Sequence, residues 1–198
     1  MKAMQDHAGT DMVYADFDVV DMSGNFLWHE AKKSPDVLRF CNTVGACFLY
    51  KRSLAQKIGG YDEQLFLAED YEYWIRAYLN GNLLHITDTI YDYGWHDKSL
   101  TATRKAAITK ATFLAKEKHM DALLKRCSNQ SERNAFFREM LRYLNDPEEQ
   151  QQKRRQYYAM DSAFARTDRI ARAKRKLSCI LHYPITVARR LKAKAAAK

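Results

Sequence analysis

The spacing of apolar residues divides this chain into two stretches of different character. In the first, short apolar runs alternate with helix-like segments. The run from Asp11 to Phe17 reads as a buried strand, with Met22 to Asn25 as a turn after it. Val44 to Tyr50 is a second apolar run between polar segments. Lys51 to Ile58 predicts a short helix stopped by Gly59, a usual residue for a left-handed cap. Tyr71, Trp74, Ile75, Tyr78 and Leu79 recur at helical spacing and predict a helix over 70–80 with Gly81 as its stop. Leu83 to Tyr91 reads as extended. Strands alternating with helices imply an α/β layer architecture.

From Arg104 onward the pattern changes. No glycine follows Gly94, and Ala, Lys, Arg, Glu and Gln dominate. Helices are predicted near 104–126, 131–144 and 147–182, with Pro147 and Pro184 at helix starts, where a missing N–H costs little. Ile170, Ala173, Leu177, Ile180 and Leu181 share one face of the last helix, ringed by Arg and Lys. No internal repeat is present.

Composition narrows the class. The chain has 198 residues, 46% of them hydrophobic and 29% charged, with 7 glycines and 3 prolines, which excludes a disordered or collagen-like protein. No stretch approaches the ~18 apolar residues of a spanning helix. The N-terminal residues contain no apolar core of a secretory signal. The four cysteines show no C-x-x-C spacing, so they indicate neither a zinc site nor a disulfide framework. These features imply a soluble or surface-bound cytoplasmic protein. The formal net charge of +9 is concentrated: residues 166–198 carry eleven Lys and Arg against one acid, Asp168. The remainder is close to neutral, unlike a domain that spreads its charge to grip phosphates.

The chemistry-bearing stretch runs from Cys41 to Thr101. Glu69-Asp70 is an acidic pair at a helix start beside a glycine-punctuated loop. The helix dipole favours an ionised carboxylate there, and such a group beside a cleft can act as a general base. Capping of the helix by Asp70 is the alternative. Trp74 and Tyr71 are explained as core by their helical spacing, and Arg76 as the partner of Glu72 at i−4.

Four ordered motifs go further. Val13 to Asp18, Gly59-Gly60-Tyr61-Asp62-Glu63, Glu69-Asp70-Tyr71-x-x-Trp74-x-Arg76 and Tyr93-x-x-His96-x-x-Ser99 together resemble the acceptor half of the family 2 glycosyltransferases, which have the GT-A fold. The resemblance covers about residues 1–103. Gly94 stands where that family often has arginine. The resemblance implies inverting transfer of a sugar from a nucleotide-diphosphate sugar to an acceptor hydroxyl on a glycan or lipid-linked acceptor, in polysaccharide or glycolipid synthesis. Asp70 would be the base and Glu69 would orient the base or the acceptor. Gly45, Gly60, Trp74 and Arg76 would contact substrate, and His96 would lie at a Mg²⁺ or Mn²⁺ ion that neutralises the leaving phosphates.

In that family a nucleotide-binding half precedes these motifs and ends in a metal-binding Asp-x-Asp. Asp16-Phe17-Asp18 has that pattern but only fifteen residues before it, too few for the βα units of a nucleotide site. The expected architecture is therefore a partial GT-A-like α/β sheet lacking its N-terminal nucleotide-binding half. It comprises an acceptor half over 1–103, a helical extension over 104–165 and a basic amphipathic tail over 166–198. The tail reads either as an anchor to an anionic membrane surface on the cytoplasmic side or as a helix packing on the body. Nucleic acid is not an expected partner, since Tyr183 is the only aromatic residue after Phe164. The alternative function is a non-catalytic module that binds glycans or pairs with a separate nucleotide-binding chain.

Overall fold

The structure, a computed structural model, describes residues 2–175. It is a mixed α/β protein with an open four-stranded mixed sheet, and the chain divides into two compact units at 127/128.

The first unit is organised around strand β1 (Met12–Val20), whose residues Met12 to Phe17 are all buried, as expected of a strand covered on both faces. Strand β4 (Leu83–Gly94) runs parallel along one side of it. Two short antiparallel strands share the other side. β3 (Phe48–Tyr50) pairs with Met12 to Tyr14, and β2 (Phe26–Glu30) pairs with Phe17 to Val20. A tight turn links β1 to β2. The Asp21 carboxylate accepts from the Ser23 amide at 2.8 Å and the Asn25 amide at 2.9 Å, and Gly24 takes φ +83°. The apolar run 44–50 is a strand only over its last three residues, because Gly45 at φ +72° turns the chain before them.

Helix α1 (Lys2–Asp6) precedes β1, and α2 (Arg52–Ile58) ends at Gly59 as its sequence predicts, with the Gly59 amide donating to Ala55 O at 2.9 Å. Helix α3 (Glu69–Asn80) buries Tyr71, Trp74, Ile75 and Tyr78. Trp74 meets Phe48 at 4.5 Å between ring centroids, and the Tyr71 hydroxyl donates to Leu38 O at 2.7 Å. Burying such side chains contributes roughly 1.5–3 kcal/mol each, so α3 is the main hydrophobic tie to the sheet.

Helices α4 (Leu100–Thr103), α5 (Lys105–Lys118) and α6 (Met120–Lys125) complete this unit. The boundary expected at 103/104 therefore falls inside it. The reason is a set of polar ties from these helices to the sheet half. Lys116 Nζ donates to Phe40 O at 2.6 Å, Lys118 meets Asp62 at 2.7 Å, and His119 Nε2 meets Glu72 Oε1 at 2.7 Å. His119 also divides the helix predicted over 104–126, since its backbone leaves the α-helix at ψ +13°.

The second unit begins with α7 (Gln130–Arg142), whose cap Asn129 accepts from the Glu132 amide at 3.0 Å. In α8 (Pro147–Met160), the Asp146 cap accepts from the Glu148 amide at 2.6 Å and Pro147 takes the first helical position. The single helix expected over 147–182 breaks at Asp161, which ends α8 and caps the next helical segment, 162–175, by accepting from the Phe164 amide at 2.8 Å. Phe136, Phe137, Tyr157 and Phe164 form the core, with Phe137 and Phe164 stacked at 4.8 Å. The expected boundary at 165/166 lies within this segment. Asp168 is buried and accepts from Arg154 Nε at 3.1 Å and from the Tyr158 hydroxyl at 2.7 Å. Of the predicted apolar face, Ile170 and Ala173 are exposed, while Leu177, Ile180 and Leu181 lie outside the described residues. Among the described residues no helix is long and apolar enough to cross a membrane.

Candidate active site

A cavity of about 470 Å³ opens on one face of the sheet, within the ~300–1,000 Å³ usual for small-molecule sites. Strand alternation chooses its lining. Phe17 and Val19 of β1 point into it, and so do their register partners Glu30 and Trp28 of β2. Lys32, two residues further on, continues the row. Its ammonium meets Glu30 Oε1 at 3.1 Å and lies 4.5 Å from the centre of the Phe17 ring. Gly45 closes the floor at a spot where only glycine fits, since a Cβ there would stand 2.7 Å from Lys32 Cε and 2.8 Å from Phe17 Cε1.

The end of β4 and the segment after it supply Tyr93, Trp95, Ser99 and Thr101. Trp28 and Trp95 pack edge to face, with ring centroids 6.4 Å apart at an interplanar angle of 65°.

Asp70 comes to the cavity from the first turn of α3, beside Asn42. No side chain caps that helix start. The entry is made by Leu67 at φ +77°, an uncommon conformation for a bulky residue and a place where backbone strain is held next to a candidate reacting group. The Asp70 carboxylate accepts from the Tyr71 amide at 2.6 Å and from Asn42 Nδ2 at 3.2 Å. The side chain reaches solvent through the cavity mouth, yet protein crowds the rest of it. This crowding pushes its pKa up, and the neighbouring charge of Glu69 adds to the rise. The amide and Asn42 oppose it without cancelling it. The result is a carboxylate with more than ordinary affinity for a proton, open to a ligand.

Of the residues expected from sequence, Asp70 and Gly45 meet in this cavity, joined by Ser99. Glu69 does not line it. Its Oε2 is buried with no hydrogen-bond partner among the described residues. Trp74, Arg76 and Gly60, expected as substrate contacts, stand elsewhere. Trp74 is only 1% exposed and packs beneath β3. Arg76 is spent on structure: its guanidinium binds Glu72 Oε1 and Oε2, the latter at 2.8 Å, and donates to Ile58 O and Gly60 O. That grip fixes the Gly59-Gly60 loop against α3, and Gly60 itself is exposed. The core and ion-pair alternatives for Trp74 and Arg76 are the ones the packing selects.

His96 lies exposed on the segment after β4. Among the described residues no three His, Cys, Asp or Glu side chains converge as metal ligands. The main ligands of a Mg²⁺ or Mn²⁺ ion would, on the resemblance, stand in the nucleotide-binding half. Asp16 and Asp18 face away from the cavity. Asp16 is locked by the Lys32 amide and His85 Nε2, each at 2.7 Å, and Asp18 Oδ1 by His29 Nδ1 at 2.8 Å. Burial raises the Asp16 pKa, but these partners outweigh it and hold the group below its ordinary value.

Sequence reasoning missed Trp28, Trp95, Asn42 and Lys32. The alternation Trp28-x-Glu30-x-Lys32 was a signal for two of them, and Trp95 stands inside the Tyr93 to Ser99 motif. A comparison of the chain with protein-family models finds no match, and neither does a comparison with curated proteins.

Proposed function

We propose that this chain is the acceptor-binding half of an inverting glycosyltransferase and that Asp70 is its general base. The carrying observation is the Asp70 carboxylate in the wall of the 470 Å³ cavity, with its pKa raised by the protein crowded around it and by Glu69. The resemblance of the motifs around it to family 2 glycosyltransferases supports the same role. An acceptor hydroxyl bound in the cavity donates to Asp70. As its oxygen attacks the anomeric carbon, the proton passes to the carboxylate. The bond from that carbon to the phosphate oxygen breaks, and the nucleoside diphosphate leaves with the electron pair. Asn42 and the Tyr71 amide hold the carboxylate in place for the transfer. The nucleotide-sugar donor would be bound by a nucleotide-binding half. In this reading the basic tail 166–198 rests on an anionic membrane surface on the cytoplasmic side, close to a glycan or lipid-linked acceptor.

A non-catalytic glycan-binding module is the second reading, favoured by the exposed tryptophans of the wall. Turnover separates the two. In a transfer assay supplied with the donor-binding half and a nucleotide-sugar panel, Asp70→Asn lowers turnover by about 10²-fold or more, as loss of a general base does. Undiminished turnover in that variant would remove Asp70 from the role.

A further inference from the structure

The cavity's shape and charge also specify what it takes. We propose that the acceptor is a neutral pyranose, held by its apolar ring face against Trp28 and Trp95. This rests on the reading of the cavity as an acceptor site, and it names the substrate class.

The first argument is the angle of the wall. Trp28 is 43% exposed and Trp95 40%, and both rings face the same space. An aromatic face carries negative charge density, and the axial C–H bonds of a saturated sugar ring present the slight positive charge that complements it. A flat purine or pyrimidine stacks best in a parallel slot. The two indoles instead pack edge to face on each other, at 65° with centroids 6.4 Å apart, and so form one continuous wall and no parallel slot for a planar base.

The second argument is the polar complement. Asn42, Ser99 and Thr101 each carry both donor and acceptor capacity, the pairing that sugar hydroxyls require, with Asn42 already bonded to Asp70 and the Val44 amide and Ser99 Oγ to the Ala102 amide. They stand around the same cavity as Asp70, so a ring on the indoles presents its hydroxyl edge to these groups.

The third argument is charge. The lining holds two carboxylates, Glu30 and Asp70, and one ammonium, Lys32. That ammonium is already taken: its side chain is only 9% exposed, and it pairs with Glu30 at 3.1 Å over the Phe17 ring. No other cation lines the cavity among the described residues. A uronic acid or a phosphorylated sugar would bring a charge that meets Asp70 with no counter-charge left to receive it.

The experiment is a ligand-observed NMR titration of the full chain at pH 7 with methyl glucoside, methyl galactoside and methyl mannoside, and with glucuronate at the same concentrations. At least one neutral glycoside binds with a dissociation constant of about 10 mM or tighter, and glucuronate binds at least about tenfold more weakly. Trp28→Ala and Trp95→Ala each weaken the neutral sugar about tenfold, while Trp28→Phe retains most of the affinity. Circular dichroism of each variant verifies that it is folded. Glucuronate binding as tightly as the neutral sugars, affinity that survives loss of both tryptophans in a folded protein, or no binding by any neutral glycoside overturns the proposal. Sugar affinity is read in this titration and the role of the base in the transfer assay, so the acceptor class and the role of Asp70 fail separately.

Discussion

Replacing Gly45 with alanine perturbs the cavity floor in a way whose size can be worked out beforehand. Gly45 has φ +72°, and a Cβ there would lie 2.7 Å from Lys32 Cε, 2.8 Å from Phe17 Cε1 and 2.9 Å from Lys32 Nζ. Two penalties combine. Left-handed backbone costs a non-glycine residue about 1–2 kcal/mol. The overlap adds about 1–3 kcal/mol, the usual range for overpacking. It cannot be relieved freely, because Phe17 is buried in β1 and Lys32 is held by Glu30. The expected loss is thus about 3 kcal/mol, a large share of the 5–15 kcal/mol by which domains are typically stable. Gly59 isolates the backbone cost: at φ +78° and ψ −170° it lies in a region open essentially to glycine alone, with nothing within 4 Å of a built Cβ, so Gly59→Ala loses about 1–3 kcal/mol through backbone strain only. Gly60 has open space and no positive φ, so Gly60→Ala is close to neutral. Urea unfolding followed by tryptophan emission reads the right unit, since all three tryptophans lie before residue 128. With a urea slope of about 1–3 kcal/mol/M, the Gly45 midpoint falls by at least about 1 M while the Gly60 midpoint stays in place. If Gly45→Ala unfolds together with Gly60→Ala, then Lys32 and Phe17 yield to the methyl group and the close-packed floor is refuted.

Two further outcomes follow from the buried polar groups. Burial raises the Glu72 pKa, but His119 and Arg76 outweigh it and hold the group below its ordinary value. Its contribution to stability is therefore complete above the unfolded value of about 4.3 and is lost as pH falls through the lower folded value. Urea midpoints measured down the acid limb should show that loss, and Glu72→Gln, less stable at neutral pH, should flatten it. An acid limb identical in the variant refutes the assignment. Tyr78, buried and donating to Asp36 at 2.8 Å, is pushed up to about 12, and Tyr73 likewise to about 12. The stability they give is present below the ordinary value of 10.0 and lost above it. In an absorbance titration, a set of tyrosines stays protonated at pH 11 until the fold opens, and full ionisation before any loss of circular dichroism would contradict this.

The parts of the molecule legible in sequence are those whose cause is local. Helix α3 follows from apolar spacing and Gly81, and the end of α2 from Gly59. Asp146 followed by Pro147 marks the start of α8. Asp161-Ser162 carried a cap signal too, but the helix-favouring composition around it masked the break. Elsewhere tertiary contacts decided. His119 leaves the helix where it meets Glu72, a residue 47 positions away. The acidic pair at 69–70 was visible as chemistry, yet which of the two faces a ligand depends on where the first turn of α3 meets the loop bearing Asn42. Trp28 and Trp95 become a wall only because β2 and the end of β4 flank the same stretch of β1. No local rule reports that adjacency.

The two sides of the cavity are built to different stiffness. Asp70 rides on a twelve-residue helix buried through Tyr71, Trp74 and Ile75 and bolted by Arg76 to the loop before it. Trp28 rides on a five-residue strand that meets β1 over four register pairs and has no fully buried residue. The cavity therefore works like a vice with one fixed jaw and one compliant jaw. With fewer buried contacts, the indole side is the one expected to yield first under local opening, while the carboxylate side stays fixed. A change in β2 and its turn would therefore reshape the indole side while leaving in place the carboxylate on which the proposed proton transfer would depend.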